Sequence, residues 1–168
     1  SEMCIRDRDG NIVTFELFRC ETEEIPSMRA DYPSMTTAEI RSKFLNFFEG
    51  RGLKLYPSSS LVPDDPSLLL ANAGMNQFKE YYQGKKTMKE IGAISCQKCV
   101  RTNDIDCIGE DGRHLSFFEM LGDFSFGGVS KQQACAWAFE LITKEFKLPL
   151  DRLYFTCLLY TSDAADEL

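Results

Sequence analysis

The residues best suited to chemistry lie in two short runs. The first is Cys96-Gln97-Lys98-Cys99-Val100-Arg101, and the second, beyond a polar stretch, is Arg113-His114-Leu115-Ser116-Phe117-Phe118-Glu119-Met120. An arginine at the end of a strand offers a planar, bidentate fork to a phosphate. An aromatic ring or thioether on the returning strand offers an apolar face to a flat base. Two-residue alternation puts Phe118 and Met120 on one face of that strand and Phe117 and Glu119 on the other. Together these groups could hold a bent nucleotide against an antiparallel sheet. Cys96 and Cys99, with Cys107 and His114, have the ligand types of a zinc site. However, strand positions three apart point to opposite faces, and no second close Cys/His pair follows. Buried thiols are the reading, and no metal ligand is assigned.

The elements that must position these residues follow from periodicity. Ile40, Phe44, Phe47 and Phe48 recur at i, i+4, i+7 and i+8, which predicts a helix from about Thr37 to Arg51. A Thr36/Glu39 capping box opens it and Gly52 ends it. Leu53 and Leu55 predict a short strand, residues 58–66 a loop, and Leu68 to Leu70 a buried strand. Asn72-Ala73-Gly74 reads as a turn, followed by an amphipathic helix through Met75, Phe78, Tyr81 and Tyr82 that Gly84 terminates. Ile94 to Arg101 and Leu115 to Phe126 form a long hairpin. Ser130-x-x-Gln133 opens a further helix, apolar almost all round from Ala134 to Phe146 and so expected to be largely buried. Leu153, Tyr154 and Phe155 begin another strand. Helices and strands interleave without regular βαβ alternation, so the fold class is α+β, an antiparallel sheet with flanking helices. Lys85, Lys86 and Lys89 form a basic cluster, read first as solvated surface and second as a phosphate or tRNA contact.

The chain has 168 residues and a net charge of −7, which at first sight disfavours a polyanionic partner. The acidity belongs to the flanks, for residues 35–156 carry 15 acidic and 15 basic residues. The flanks are expected to be non-native. The DNA string TCG GAG ATG TGT ATA AGA GAC AG translates as Ser-Glu-Met-Cys-Ile-Arg-Asp followed by Ser or Arg, matching the start of the chain. Its core, reversed and complemented, encodes Cys-Leu-Leu-Tyr-Thr-Ser, which matches residues 157–162. Residues 1–34 are therefore expected to be a non-native or adapter-derived leader, although Ile12 to Phe18 alternates like a strand. Residues 157–168 are expected to be an adapter-derived tail, with the reading frame cut at Thr156 and Met35 the natural start. Four of the seven cysteines, Cys96, Cys99, Cys107 and Cys135, fall in the central segment. They read as reduced thiols of a cytoplasmic protein. No apolar run reaches the roughly 18 to 20 residues of a membrane-spanning helix, and no membrane partner is expected.

Three phrases, SSSLVPDDPSLLLANAGMNQFK (58–79), QKCVRTNDID (97–106) and RHLSFFEMLGDFSFG (113–127), resemble the alanyl-tRNA synthetase family of class II aminoacyl-tRNA synthetases. The resemblance runs from about Met35 to Thr156 and implies an incomplete class II catalytic core. This would be the amino-terminal half of the aminoacylation domain, with motifs 1 and 2. It implies ATP-dependent activation of alanine to alanyl-adenylate and transfer to the 3′ end of tRNA(Ala), with Mg2+ entering in the ATP complex. Arg101 matches the motif 2 arginine and is assigned to the α-phosphate as the catalytic residue. Arg113 and His114 match the basic pair that would hold the terminal phosphates. Leu115 stands where many relatives have a second histidine, so a contact there would come from its backbone. Phe118 and Met120 are assigned to adenine. The Gly-Gly-Lys-His stretch that many relatives carry after the arginine is replaced by Thr102-Asn103-Asp104-Ile105-Asp106, so that lysine's role does not transfer. The resemblance leaves room for zinc only in the region downstream of this segment, and the isolated fragment is expected to be inactive. The alternative is a non-catalytic module that binds a nucleotide or a protein, which the DNA downstream of Thr156 would distinguish.

Overall fold

A computed structural model of the chain describes residues 2–6, 12–16, 35–65, 67–102, 105–110 and 115–153. Near the amino terminus, strand β1 (Glu2–Arg6) pairs antiparallel with β2 (Ile12–Glu16). β2 lies within the expected alternating stretch, whereas β1 falls in residues for which no element was expected.

Helix α1 (Thr37–Glu49) begins as its sequence requires. Thr36 Oγ1 accepts from the Glu39 N–H at 3.2 Å, and Glu39 Oε2 accepts from the Thr36 N–H at 2.7 Å. The bond from the Thr36 N–H first, then one that the Thr36 hydroxyl donates to the same oxygen at 2.8 Å, hold the Glu39 carboxyl below its ordinary pKa. The helix closes at Gly50, and Gly52, at φ 88°, turns the chain back into strand β3 (Lys54–Leu55).

Strands β4 (Gly92–Val100) and β5 (Phe117–Ser125) form the expected hairpin, in register from Gly92 opposite Ser125 to Val100 opposite Phe117. The sheet order is β3-β4-β5, and it departs from the antiparallel sheet expected because β3 runs parallel to β4. Residues 56–91 form the crossover between them, long enough to return the chain in the same direction.

Each face of the β4–β5 hairpin has its own core. Ile94 and Leu121 pack with Phe44, Phe47 and Phe48 of α1, with Leu53 and with Leu141. The Phe48 ring sits 4.9 Å from Phe44 and 5.1 Å from Phe47. Helix α3 (Lys131–Glu140), capped by Ser130 accepting from the Gln133 N–H, closes this side and runs into a π-helical turn at Leu141–Glu145. Its burial is one-sided rather than the near-complete burial expected. Ala134 and Ala138 are buried while Phe139 is 45% exposed. Small residues take the face that approaches the core, and the larger ring is turned outward.

On the opposite face, Phe124 packs on Phe78, with Tyr56, Tyr81 and Phe126 around them. Phe78 ends a 3-10 turn (Asn76–Phe78) that leads into the short helix α2 (Lys79–Tyr82), less than the helix expected from Met75 onward. The strand expected at Leu68 to Leu70 is not formed, and Leu69 is 93% exposed. Asp65 prevents extension there: its Oδ1 accepts from the Ser67 N–H at 2.9 Å, and its carbonyl accepts from the Leu68 N–H. Lys79 Nζ binds its other oxygen at 2.5 Å. The Lys79 bond first, then those from Ser67, hold the Asp65 carboxyl far below the usual carboxylate range. Leu153 has extended backbone after a 3-10 turn (Leu150–Arg152), and Tyr154 and Phe155 lie outside the described residues.

Candidate nucleotide site

The site is built where β4 ends and β5 begins. Antiparallel register sets Cys99 opposite Phe118 and Gln97 opposite Met120, so these four share the face that meets residues 57–78. Cys96 and Glu119 lie on the other face, toward α1. The period-2 assignment of Phe118 and Met120 to one side and Phe117 and Glu119 to the other therefore holds.

Arg101 leaves the end of β4 and is tied at two points. Its backbone N–H donates to the Ser116 carbonyl at 2.9 Å, closing the hairpin mouth. Its Nε donates to the Asn72 carbonyl at 3.1 Å. The guanidinium carbon stands 5.3 Å from the centroid of the Phe118 ring, within cation–π range. With Nε occupied, the two Nη groups form the remaining fork, the part of the side chain suited to two oxygens of one phosphate.

Met120 is half-buried beneath the Asn72-Ala73-Gly74 turn, its sulfur 3.1 Å from the Gly74 N–H. A Cβ on Gly74 would come within 3.3 Å of Phe124 Cζ and 3.6 Å of Met120 Sδ, so glycine permits this close approach. Arg101, Phe118 and Met120 are thus brought together. Leu115, 60% exposed, lies just before Ser116 at the hairpin mouth. Arg113 and His114 fall outside the described residues.

Behind the site, Gln97 is 1% exposed, and both ends of its amide are bonded. Oε1 accepts from the Ser59 N–H at 2.8 Å, Ser59 Oγ at 3.0 Å and Gln77 Nε2 at 3.2 Å. Nε2 donates to the Lys98 carbonyl at 2.8 Å and the Ser59 carbonyl at 3.2 Å. The Lys98 N–H donates to Ser58 Oγ, and the Val100 N–H donates to the Ala71 carbonyl. Residues 58–72 therefore supply hydrogen-bond partners along the free edge of β4 without forming a strand. On the far face Arg41 Nη2 and Nε bind one oxygen of Glu119, at 2.5 and 3.0 Å, linking α1 to β5. The hydrogen bond from Arg41 is the main cause of the lowered Glu119 pKa.

Sequence reasoning singled out Arg101, Phe118 and Met120 but missed Asn72, Gln97 and Arg41 as their supports. Gln97 carried a signal: an amide between two cysteines in a strand that must be buried needs partners of its own. Cys96 and Cys99 do lie on opposite faces, and burial is the first cause raising both thiol pKa values. Among the described residues no three His, Cys, Asp or Glu side chains converge as a metal site. In the basic cluster, Lys86 is paired with Glu80, while Lys85 and Lys89 are exposed.

An arginine anchored beside an aromatic ring, carried by an antiparallel hairpin with helices behind it, defines the candidate site. The family of class II tRNA synthetases, described as tRNA synthetases class II (A), matches residues 39–167, and the chain belongs to it. Within that class its similarity is to alanine–tRNA ligases. It is 52% identical over 127 residues to the chloroplastic/mitochondrial alanine–tRNA ligase of Sorghum bicolor, covering 76% of this chain and 13% of that protein. Against the alanine–tRNA ligase of Synechocystis sp. it is 53% identical over 121 residues, or 72% of this chain and 14% of the relative. The alanine–tRNA ligase of Pseudothermotoga lettingae is 52% identical over 122 residues, again 14% of its length. The chain thus spans about one seventh of the relatives it matches.

Proposed function

We propose that this chain is the ATP-facing part of an alanine–tRNA ligase. The protein would activate alanine with ATP and transfer it to the 3′ end of tRNA(Ala). In the first step a carboxylate oxygen of alanine attacks the α-phosphorus of ATP, and the bond from that phosphorus to the bridging oxygen of pyrophosphate breaks. In the second, a hydroxyl at the tRNA 3′ end attacks the alanyl carbonyl and AMP leaves. The first step asks little proton transfer of the protein, so positioning and charge stabilisation dominate.

The observation that carries this reading is Arg101, with Nε held by Asn72, its guanidinium beside Phe118, and its Nη fork left to meet an α-phosphate. As charge builds on the phosphoryl oxygens, a fork already fixed in place stabilises it without reorganising. Phe118 and Met120 supply the apolar face for adenine, and Arg113 with His114 takes the terminal phosphates, with a backbone contact from Leu115. Mg2+ arrives with ATP as part of the substrate. Cys96, Cys99 and Cys135 are free thiols, which accords with a reducing cytoplasm as the site of action.

The test is alanine-dependent exchange of pyrophosphate into ATP by a full-length protein carrying this segment. Exchange should depend on alanine rather than glycine or serine, and Arg101→Ala should lower kcat by about 10²- to 10³-fold, the range for losing one preorganised charge-stabilising donor. No exchange with alanine, or equal exchange without Arg101, would refute it. The isolated 168-residue chain should give no exchange at ordinary rates.

A further inference from the structure

The arginine fork is only as well aimed as the group that holds its Nε, and that group is a main-chain carbonyl in an exposed turn. Asn72 is exposed, yet its carbonyl takes Arg101 Nε at 3.1 Å. Two further contacts define the turn. Asn76 Nδ2 donates to Asn72 Oδ1 at 3.1 Å, and the Asn76 N–H donates to the Ala73 carbonyl at 3.3 Å. Directly between these residues, the buried Gly74 sets its N–H against the sulfur of Met120. A single five-residue turn therefore touches both the phosphate-facing and the base-facing side of the site, and it reaches β4 through Ala71, whose carbonyl accepts from Val100.

We propose that Asn72 and Asn76 are positioning residues for Arg101: their side-chain pair fixes the turn so that the Asn72 carbonyl holds Nε and the Nη fork faces the α-phosphate. This rests on the function proposed above and adds which residues aim the arginine. The pair touches no reacting atom, and its effect on the α-phosphate side runs through Arg101. A donor held on two bonds is preorganised, whereas one held by a loosened turn must be ordered at each turnover.

The experiment is a double-mutant cycle in a full-length ligase carrying this segment, read by alanine-dependent pyrophosphate exchange. Asn76→Ala should lower kcat/KM for ATP about fivefold, the equivalent of one hydrogen bond of about 1 kcal/mol, and leave KM for alanine unchanged. In an Arg101→Lys background, which lacks Nε and the fork, Asn76→Ala should have no further effect. Asn76→Gln, which keeps an amide N–H donor for Asn72 Oδ1, should recover most of the loss. If Asn76→Ala is silent, or costs the same in both backgrounds, or raises KM for alanine equally, the inference is overturned while the proposed function stands. A wild-type protein without alanine-dependent exchange would overturn the proposed function, and this inference with it.

Discussion

Asp123 lies on β5 opposite Ile94, on the face that meets α1. Burial pushes its carboxyl up to about 7 from an ordinary 3.8, and a hydrogen bond from its own backbone N–H offsets only part of this. The folded chain therefore keeps a proton that the unfolded chain releases once the pH passes about 4. Because the native state binds the extra proton, stability is greatest below pH 4. It falls as the pH rises toward 7, and above that the loss is complete. Between pH 5 and 8 the fall spans about two pKa units, a ceiling of about 3 kcal/mol, which the residual solvent contact of this half-buried side chain reduces to about 1.5 kcal/mol. Asp123→Asn removes the titration while keeping the shape. Urea unfolding of both proteins at pH 5 and pH 8 should show the wild type losing about 1.5 kcal/mol more than the variant over that interval. The carboxylates of Glu39, Asp65, Glu119 and Glu140 have lowered pKa values, so they are ionised throughout this window. The single histidine, His114, is common to both proteins. Parallel losses in wild type and Asp123→Asn would refute the burial account of this carboxylate.

Two further substitutions test the two cores. Gln97→Leu strands the Ser59 N–H and hydroxyl and the Gln77 amide against an apolar side chain, and should cost about 2 to 3 kcal/mol in urea unfolding. Loss of that network should also increase hydrogen exchange at the Lys98 and Val100 amides, whose partners lie in the 58–72 segment it anchors. Phe48→Ala, at a ring 1% exposed between Phe44 and Phe47, should cost about 3 to 5 kcal/mol. Since small domains are stable by only about 5 to 15 kcal/mol, far-ultraviolet circular dichroism should show a much lower midpoint for this variant.

The features legible in the sequence are those set by short-range periodicity. The Thr36/Glu39 box and the Phe44, Phe47, Phe48 spacing place α1 because every contact involved is local or repeats with the helix. The β4–β5 hairpin, and with it the Phe118 and Met120 face, follows from two-residue alternation alone. The parallel pairing of β3 could not be read in this way. Two residues carry no directional pattern, and it is the path of residues 56–91 that decides the orientation. The same limit applies to Leu68 to Leu70, three apolar residues that read as a strand until Lys79 and Ser67 both claim Asp65.

The site divides along the same line, and that division says something about how the arginine is controlled. Side chains that meet a ligand have a chemical signature, so Arg101 stands out in the sequence, whereas the carbonyl that holds it belongs to every residue alike. Asn72 gains its role only because residues 58–72 lie along the edge of β4, held by Gln97 at one end and by the Val100–Ala71 bond at the other. Covering a strand edge with irregular chain leaves main-chain carbonyls available beyond the last ladder bond, which a regular neighbouring strand would have used for pairing. One of these carbonyls meets Arg101 just past the end of β4. The absence of a regular strand at 68–70 is therefore part of how the site is built. A substitution that restored extended structure there, such as Asp65→Val, would be expected to draw the Asn72 carbonyl out of reach of Arg101, even though Asp65 itself is far along the chain from the hairpin.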